Sequence, residues 1–395
     1  MDNILENKVW QHKLDFYKVI LAMESRGIGV DTEFCKYMEL KGIDEMERVV
    51  NELGLNPGKK NDLAKLLIDE LELPIVKVSD KTGQPSFDKF AMEEYDEILE
   101  NRDNPTAKRV LEYRGWQKAV SSYYKPYQEL LSADGRLRPD YKLHGTVTGR
   151  LSCQKPNLQQ IPKEGTKPWN GRTKECFEPA PGYKLVEVDY SQLELRLGTV
   201  YAQEESLVRV FAEGRDIFTE MSKELGMSRQ QTKGLVYSIQ YGAGVNRISN
   251  IFDVSRQEAQ GIINNYYKTY PGFRKMTHAC EALVKQNKYL RLLSGRRRHF
   301  KHESEARKSF NSLIQGGAAD LVERAMVRIF KRIDSEDCKM LLQVHDSIIF
   351  EIKEDRVMEF VPEIIKTMVD HEIEELEAVK FDADAHWLGG DTITI

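Results

Sequence analysis

The sequence is poor in cysteine and lacks any pattern that would use it. Its five cysteines are far apart, and no two of them form a C-x-x-C pair: Cys35, Cys153, Cys176, Cys280 and Cys338. An odd, scattered set argues against a disulfide framework and against a zinc site. We expect all five to be reduced and structural.

Long apolar runs are also missing. No stretch approaches the ~20 residues of a membrane span, and the N-terminus lacks the basic and apolar regions of a signal peptide. A composition of 41% hydrophobic and 31% charged residues is typical of a soluble protein. These features predict a cytoplasmic location and no membrane partner.

A net positive charge is absent as well. The formal charge is −5, whereas dedicated nucleic-acid-binding domains are usually basic. The charge is nevertheless uneven, because residues 291–308 contain seven Lys or Arg against two Glu. Such a run is most often a solvated face, and it becomes a candidate phosphate-binding surface only if an active site lies nearby.

The 395 residues contain no internal repeat, and this length predicts two or three subdomains. Hydrophobic periodicity predicts helices over 9–26, 31–52, 60–72 and 106–131, and again over most of 191–286. Residues 136–182 are rich in Gly and Pro and predict loops. Apolar patterns over 184–190, 340–344 and 348–352 predict a strand and a hairpin, with His345, Asp346 and Ser347 in its turn.

The most informative pattern places two cations and two phenol rings at strict four-residue spacing, in the order Arg229, Lys233, Tyr237 and Tyr241. On a helix these side chains share one face over roughly 18 Å. Ser228 and Gln231 fit a capping box, so the positive end of the helix dipole would lie beside the two cations. The stripe therefore has the length and polarity of a nucleoside triphosphate, although an amphipathic helix with a solvated basic end would show the same spacing.

Two aspartates are candidate metal ligands. Asp189 ends a predicted strand and Asp346 lies in the predicted hairpin turn, so both could meet at one edge of a sheet. Oxygen ligands of this kind suit Mg²⁺, although strand-end aspartates often only form turns. Ser191 and Glu194, which follow the first strand, fit a capping box; alternatively, Glu194 blocks the space beside a nucleotide's sugar.

Three segments together resemble the motifs of family A DNA polymerases of the bacterial DNA polymerase I type. They are Asp189 to Arg196, Arg229 to Gly242, and Gln343 to Asp346. The resemblance extends, in the family's order, to Thr148 to Ser152, Pro156 to Pro162, Ser294 to Arg298 and Asn311 to Asp320. It covers nearly the whole chain.

The resemblance implies an α+β fold shaped as a right hand, with an antiparallel-sheet palm, helical fingers and a helical thumb. The thumb would span 1–131, the palm 132–190 and 305–395, and the fingers 191–304. It also implies template-directed DNA synthesis with two Mg²⁺ ions, for which Mn²⁺ can substitute. Primer-template DNA and dNTPs would be the partners, and a separate exonuclease or sliding clamp would be a further candidate partner. The protein would be a monomer in a bacterial or phage-infected cell.

Roles for individual residues follow from the same resemblance. Asp189, Asp346 and the Tyr190 carbonyl would hold the metals. Arg229 and Lys233 would take the triphosphate, with Lys233 also counted as catalytic. The sugar and base would meet Tyr237, Tyr241, Gln192 and Glu194, and Glu194 would exclude a 2′-OH. The residues expected on DNA are Arg150, Asn311, Gln315, His345, Arg307, Arg114 and Lys118.

Two positions depart from the family's pattern. The family usually has Glu after the His-Asp pair, whereas this chain has Ser347, which removes a negative charge near the metals. Phe218 stands where bacterial relatives place a His that helps to bind phosphate, which leaves more of that task to Arg229 and Lys233.

We expect a polymerase domain without a proofreading exonuclease, since that domain would need a D-x-E site and roughly 150 to 200 further residues. Asp31 and Glu33 fit D-x-E, but Asp31 is better explained as a helix N-cap. Two alternatives remain. A single-subunit RNA polymerase shares the palm aspartates, but Glu194 argues against it. A catalytically silent DNA-binding accessory protein is disfavoured by the joint presence of Asp189, Asp346 and Lys233.

Overall fold

The computed structural model describes residues 2–79, 81–162, 167–169 and 171–394, with side chains from residue 8 onward. Within these residues the chain forms two compact units. The first comprises Met1–Arg26, Asp140–Gln154 and Ala180–Ile395, and the second comprises Gly27–Pro139 and Lys155–Pro179. The division into thumb, palm and fingers stays a prediction. Of the segment predicted as loops, 163–166 and 170 lie outside the described residues.

Helices dominate the described residues. The α-helices are α1 (Asp2–Arg26), α2 (Thr32–Leu53), α3 (Lys60–Ala64), α4 (Lys89–Glu100), α5 (Thr106–Ala119), α6 (Lys125–Glu129), α7 (Leu193–Ala202), α8 (Glu205–Ala212), α9 (Ile217–Leu225), α10 (Arg229–Gln240), α11 (Val245–Phe252), α12 (Arg256–Thr269), α13 (Pro271–Asn287), α14 (Ser309–Arg332) and α15 (Val357–Val369). No helix in the described part of the chain is both long enough and apolar enough to cross a membrane.

The strands are short except in one sheet. They are β1 (Ile28–Val30), β2 (Arg136–Leu137), β3 (Asp140–Lys142), β4 (Ser152–Gln154), β5 (Phe177–Glu178), β6 (Tyr183–Tyr190), β7 (Tyr289–Arg291), β8 (Arg297–His299), β9 (Cys338–Val344), β10 (Ser347–Lys353) and β11 (Ala383–Trp387). The predicted strand and hairpin are confirmed as β6, β9 and β10. Ser347 is the first residue of β10 and not a turn residue, and the edge strand β11 was not predicted.

The central sheet of the first unit has the order β11-β6-β10-β9, and all its neighbours are antiparallel. β6 pairs with β10 along its whole length, from Tyr183 opposite Lys353 to Asp189 opposite Ser347. Side chains alternate between the two faces. Val186 and Val188 are fully buried on the face that packs against α15, and Glu187 and Asp189 project from the other face.

The second unit packs α2, α4 and α5 together beside a small sheet of order β2-β1-β5. Asp31 caps α2 by accepting a hydrogen bond from the Phe34 N–H at 2.8 Å, as predicted. The helix predicted over 60–72 is partly wrong, because α3 passes into a π-helical segment, Lys65–Glu70. The helix predicted over 106–131 likewise contains a π-helical turn, Val120–Tyr124, between α5 and α6. Helix α4, capped by Asp88, was not predicted.

The capping box predicted at Ser191 and Glu194 is wrong. Gln192 is the N-cap residue of α7, in a left-handed conformation with φ 55°, and it makes no side-chain cap hydrogen bond. The Ser191 hydroxyl donates to Asp384 instead, at 2.7 Å. A tertiary contact has therefore displaced the local one. The five cysteines are buried free thiols, as expected.

Candidate active site

The two candidate metal ligands lie at the same end of the central sheet. β6 ends at Tyr190, and the turn between β9 and β10 consists of His345 and Asp346. The Tyr190 N–H donates to the Asp346 carbonyl at 3.3 Å, and Ser347 stands opposite Asp189. The antiparallel register thus brings together two aspartates that are far apart in the sequence.

The turn that carries Asp346 is held by buried polar groups of the same unit. The Gln343 N–H donates to the Tyr141 hydroxyl at 3.1 Å, and the Gln343 side-chain amide donates to the His345 carbonyl. Burial raises the pKa of Tyr141, so the hydroxyl stays protonated. His345 itself adopts a left-handed conformation, with φ 59°, and is exposed at the tip. These contacts fix the backbone on which Asp346 sits.

A hydroxyl contacts a carboxylate on each side of Asp189. On β10, the Ser347 hydroxyl lies 3.0 Å from a Glu187 carboxylate oxygen. On the other side, Asp384 of β11 stands opposite Asp189 and accepts from the Ser191 hydroxyl. The end of the sheet therefore carries more negative charge than the two predicted ligands supply.

The donor set fits Mg²⁺. Two aspartates and the Tyr190 carbonyl would supply hard oxygen ligands, and Mg²⁺ usually takes one or two protein carboxylates and completes its shell with water and substrate phosphate. In the described part of the chain, no three His, Cys, Asp or Glu side chains gather into a closed metal site. An open site built on two carboxylates is the arrangement that leaves room for a substrate.

Helix α10 carries the first three residues of the predicted stripe, and Tyr241 is its C-cap residue. Its capping box is present, with the Ser228 hydroxyl accepting from the Gln231 N–H and the Gln231 side chain accepting from the Ser228 N–H. Lys233 is exposed, whereas Arg229 makes two hydrogen bonds of 2.9 and 2.8 Å to Asp216, the N-cap residue of α9. This contact holds the pKa of Asp216 well below its ordinary value. Asp216 was not predicted as a partner, because nothing in the sequence marks a contact between two helices.

Phe218 lies at the centre of the stripe's basic half. The Arg229 guanidinium and the Lys233 ammonium are 5.8 and 5.9 Å from the centroid of its ring. The Tyr237 ring lies 5.7 Å from it, centroid to centroid. A histidine at this position would add a polar group; the phenylalanine supplies a buried ring face that attracts both cations.

The aromatic half of the stripe faces the acidic end of the sheet. Burial, followed by the negative charges of Glu194 and Asp346, raises the pKa of Tyr237. Tyr241 stacks on Tyr237 at a centroid distance of 6.3 Å and donates to Glu194 at 2.8 Å. The other Glu194 oxygen accepts from Arg150. Glu194 is therefore fixed from two directions beside the aromatic half of the stripe.

Most residues predicted to contact DNA lie in the same unit. Asn311 and Gln315 are half-buried and share one face of α14, and Arg307 is exposed one turn before them. Arg114 and Lys118 belong to α5 of the second unit. Arg114 is half-buried and donates to the Phe87 carbonyl, whereas Lys118 is exposed. The DNA-contact roles stay predictions.

Arg296 is a structural residue of this site that the sequence did not single out from its basic run. Its guanidinium donates to Asp320 at 2.9 Å and to the Thr148 carbonyl at 2.7 Å. A Cβ at Gly149 would come within 2.3 Å of the same guanidinium. Arg296 thus ties the Thr148 to Arg150 segment to α14, and only glycine leaves space for it at position 149.

Comparisons with known proteins find bacterial DNA polymerases. The thermostable DNA polymerase I of Thermus aquaticus is 32% identical over 363 residues, which cover 86% of this chain and 43% of the relative. DNA polymerase I of Helicobacter pylori is 32% identical over 377 residues, covering 90% of this chain and 41% of the relative. This chain therefore spans less than half the length of these curated relatives.

A solved structure, the POL domain of Pol1 from M. smegmatis in complex with DNA primer-template and dNTP, has the same fold. The TM-score is 0.85 at 23% identity, and the match covers 96% of this chain and 70% of that one. The family model described as DNA polymerase family A matches residues 37–388. This chain belongs to DNA polymerase family A.

Proposed function

We propose that this chain catalyses template-directed DNA synthesis, adding deoxynucleotides to a primer 3′-OH. The observation that carries the proposal is the register of β6 and β10, which brings Asp189 and Asp346 to one end of the sheet. The tyrosines of the stripe lie near that end, where Tyr237 feels the charges of Glu194 and Asp346 and Tyr241 donates to Glu194. Membership of the family supports the reaction class.

In this proposal Asp189, Asp346 and the Tyr190 carbonyl hold two Mg²⁺ ions, or Mn²⁺ in their place. When bound, such ions lower the pKa of the attacking hydroxyl and stabilise the leaving pyrophosphate. Arg229 and Lys233 bind the triphosphate at the N-terminus of α10, where the helix dipole adds to their charge. Lys233 also counts as catalytic in this proposal, because its exposed ammonium would offset negative charge on the triphosphate.

Glu194 selects deoxynucleotides. Its side chain is held by Arg150 and Tyr241, so it cannot readily rotate away from an added 2′-OH. Gln192, at the start of the same helix, completes the nucleotide site with Tyr237 and Tyr241. An RNA polymerase would need the space near Glu194 to be open, and this contact supports DNA synthesis over RNA synthesis.

Primer-template DNA is the proposed macromolecular partner. Arg150, Asn311, Gln315 and His345 would follow the primer end and the minor groove, where features common to all base pairs allow binding without sequence preference. Arg307, Arg114 and Lys118 would contact backbone phosphates. We further propose that the protein is a cytoplasmic monomer whose thumb, palm and fingers span the predicted ranges. A separate exonuclease or sliding clamp is a further proposed partner.

One assay tests these points together. The full chain is incubated with a 5′-labelled primer on a template, with Mg²⁺ and either dNTPs or NTPs. We expect extension with dNTPs that follows the template sequence, and little extension with NTPs. Equal use of both substrates would favour an RNA polymerase, and binding without extension would favour an accessory protein.

A further inference from the structure

Glu187 is a charged residue in the central sheet to which the predicted chemistry gives no task. It precedes Asp189 by two residues on β6, so both side chains project from one face, roughly 7 Å apart along the strand. Its neighbours on the opposite face, Val186 and Val188, are core residues. Glu187 is half-buried, so solvent screens its charge less than that of a surface carboxylate.

Ser347 connects Glu187 to the metal end of the sheet. It follows Asp346 directly, stands opposite Asp189 and is 3% exposed. Its hydroxyl lies 3.0 Å from a Glu187 carboxylate oxygen and 3.0 Å from the Val344 carbonyl, and its single proton can be donated to either. The Glu187 carboxylate therefore lies one hydrogen bond away from the side chain at position 347.

The geometry separates this role from that of a ligand. Within the described residues, no three acidic, His or Cys side chains are close enough to surround one ion. Glu187 is held one hydrogen bond away from the residue that neighbours both aspartates. Charges at such a distance act through the electrostatic field, and groups just outside the ligands commonly tune metal affinity.

We propose that Glu187 is a positioning residue that supplies, through Ser347, a fixed negative charge to the site of Asp189 and Asp346. It raises the affinity of that site for divalent cations without binding them directly. This inference rests on the proposed polymerase function. It also explains how the site can lack a carboxylate at position 347, because the neighbouring strand provides one.

The test measures metal binding directly. The full chain, bound to a dideoxy-terminated primer-template and the next dNTP, is titrated with Mn²⁺, and free Mn²⁺ is read by electron paramagnetic resonance. Glu187→Gln keeps an oxygen acceptor for Ser347 and removes only the charge. We expect its Mn²⁺ Kd to rise by roughly three- to tenfold, because solvent attenuates a charge at a half-buried position.

The matched control is Glu354→Gln, which removes an exposed negative charge beyond the opposite end of β10. Its Mn²⁺ Kd should stay within about twofold of that of the unmodified chain, since solvent and salt screen distant surface charges. Glu187→Asp, which restores the charge on a shorter side chain, should recover part of the affinity lost in Glu187→Gln.

The decisive variant exchanges the two residues between the strands. In Glu187→Ser/Ser347→Glu the sheet again carries one carboxylate and one hydroxyl, and we expect a Kd within about threefold of the original. Ser347→Glu alone adds a second carboxylate and should bind Mn²⁺ more tightly and lower the Mg²⁺ concentration for half-maximal rate. The Kd of the exchange variant is compared with that of Glu187→Ser. If the exchange recovers affinity, the loss in Glu187→Ser did not come from misfolding.

Each outcome bears on one idea. If Glu187→Gln binds Mn²⁺ as tightly as Glu354→Gln, or if the exchange binds no better than Glu187→Ser, the inference about Glu187 is wrong. The proposed function survives that result as long as Asp189→Ala weakens Mn²⁺ binding in the same complex. If the unmodified chain forms no complex with primer-template and dNTP, the proposed function itself fails.

Discussion

At the scale of single residues, the two sheet-end aspartates should dominate catalysis. Asp189→Ala or Asp346→Ala should lower kcat by roughly 10³-fold or more, since a metal ion supplies several kcal/mol of transition-state stabilisation. Duplex binding should stay nearly unchanged, because phosphate contacts elsewhere supply most of the affinity. Single-turnover extension and a fluorescence binding assay measure the two quantities.

The control for this pair is Asp355→Ala, which removes an exposed aspartate beyond the other end of β10. It should extend primers at the original rate. Normal extension by either sheet-end variant would refute the assignment of the metal site.

Tyr237 is the second residue whose effect can be stated in advance. Its hydroxyl lies near Glu194 and Asp346, whose charges contribute to its raised pKa. The family resemblance implies that a tyrosine here supplies a polar contact that persists when a nucleotide lacks its 3′-OH. We expect dideoxynucleotides to be incorporated almost as readily as deoxynucleotides.

Tyr237→Phe should restore discrimination by roughly ten- to a hundredfold, the value of one hydrogen bond in a closed site. Competitive incorporation of the two nucleotide types by both proteins measures this ratio. Equal ratios would mean that Tyr237 does not face the sugar. Tyr241→Phe is a useful comparison, because it removes the hydroxyl that bonds to Glu194 and not the one near the sugar.

At the scale of elements, the packing of α1 on α14 should give stability a distinctive pH dependence. Glu323 of α14 is buried and contacts Lys13 and His12 of α1. Burial raises the pKa of Glu323 to about 7, and burial lowers the pKa of His12 to about 4. The negative charge of Asp320 also raises the pKa of Glu323, whereas the positive charge of Arg296 lowers it.

Proton linkage gives the direction in which the stability changes with pH. Between pH 4.5 and 7 the unfolded chain has released the Glu323 proton while the folded chain retains it, so this residue's contribution to stability falls as pH rises. Glu323→Gln should therefore gain stability relative to the original chain between pH 5 and 7, by roughly 3 kcal/mol at most. Urea unfolding of both proteins at several pH values measures the difference. His12→Gln should show the opposite slope, and a pH-independent difference would contradict the prediction.

Local patterns predicted the elements that local physics determines. The capping box of α10 and the Asp31 cap of α2 formed as expected, because each satisfies backbone N–H groups within one turn. The β9–β10 hairpin followed from its apolar runs. The cap predicted at Ser191 did not form, because the carboxylate of Asp384 on another strand competes for the Ser191 hydroxyl.

What the sequence could not predict are contacts between elements. The ion pair of Arg229 with Asp216 and the hydrogen bond of Ser347 to Glu187 join residues on different helices or strands. No local pattern marks such pairs, since they depend on strand order and register. The acidic end of the sheet was therefore predicted as two aspartates, whereas Glu187 and Asp384 also lie on the face that carries Asp189.

At the scale of the whole molecule, we expect polymerisation without proofreading by this chain. The D-x-E pair, Asp31 and Glu33, lies at the start of α2, where Asp31 accepts from the Phe34 N–H. A 5′-labelled primer with a mismatched 3′ end should therefore keep its length during incubation with Mg²⁺ and no dNTPs.

If the primer is shortened, the double variant Asp31→Ala/Glu33→Ala shows whether Asp31 and Glu33 are responsible. Loss of the cap should cost about 1 kcal/mol of stability and leave primer extension unchanged. If the original chain shortens the primer and the double variant does not, then Asp31 and Glu33 form a nuclease site and the cap is secondary. If both proteins shorten it, a nuclease site exists elsewhere in the chain. An intact primer with both proteins is the result that the arrangement of α2 predicts, because a carboxylate that caps a helix is already bound to the backbone.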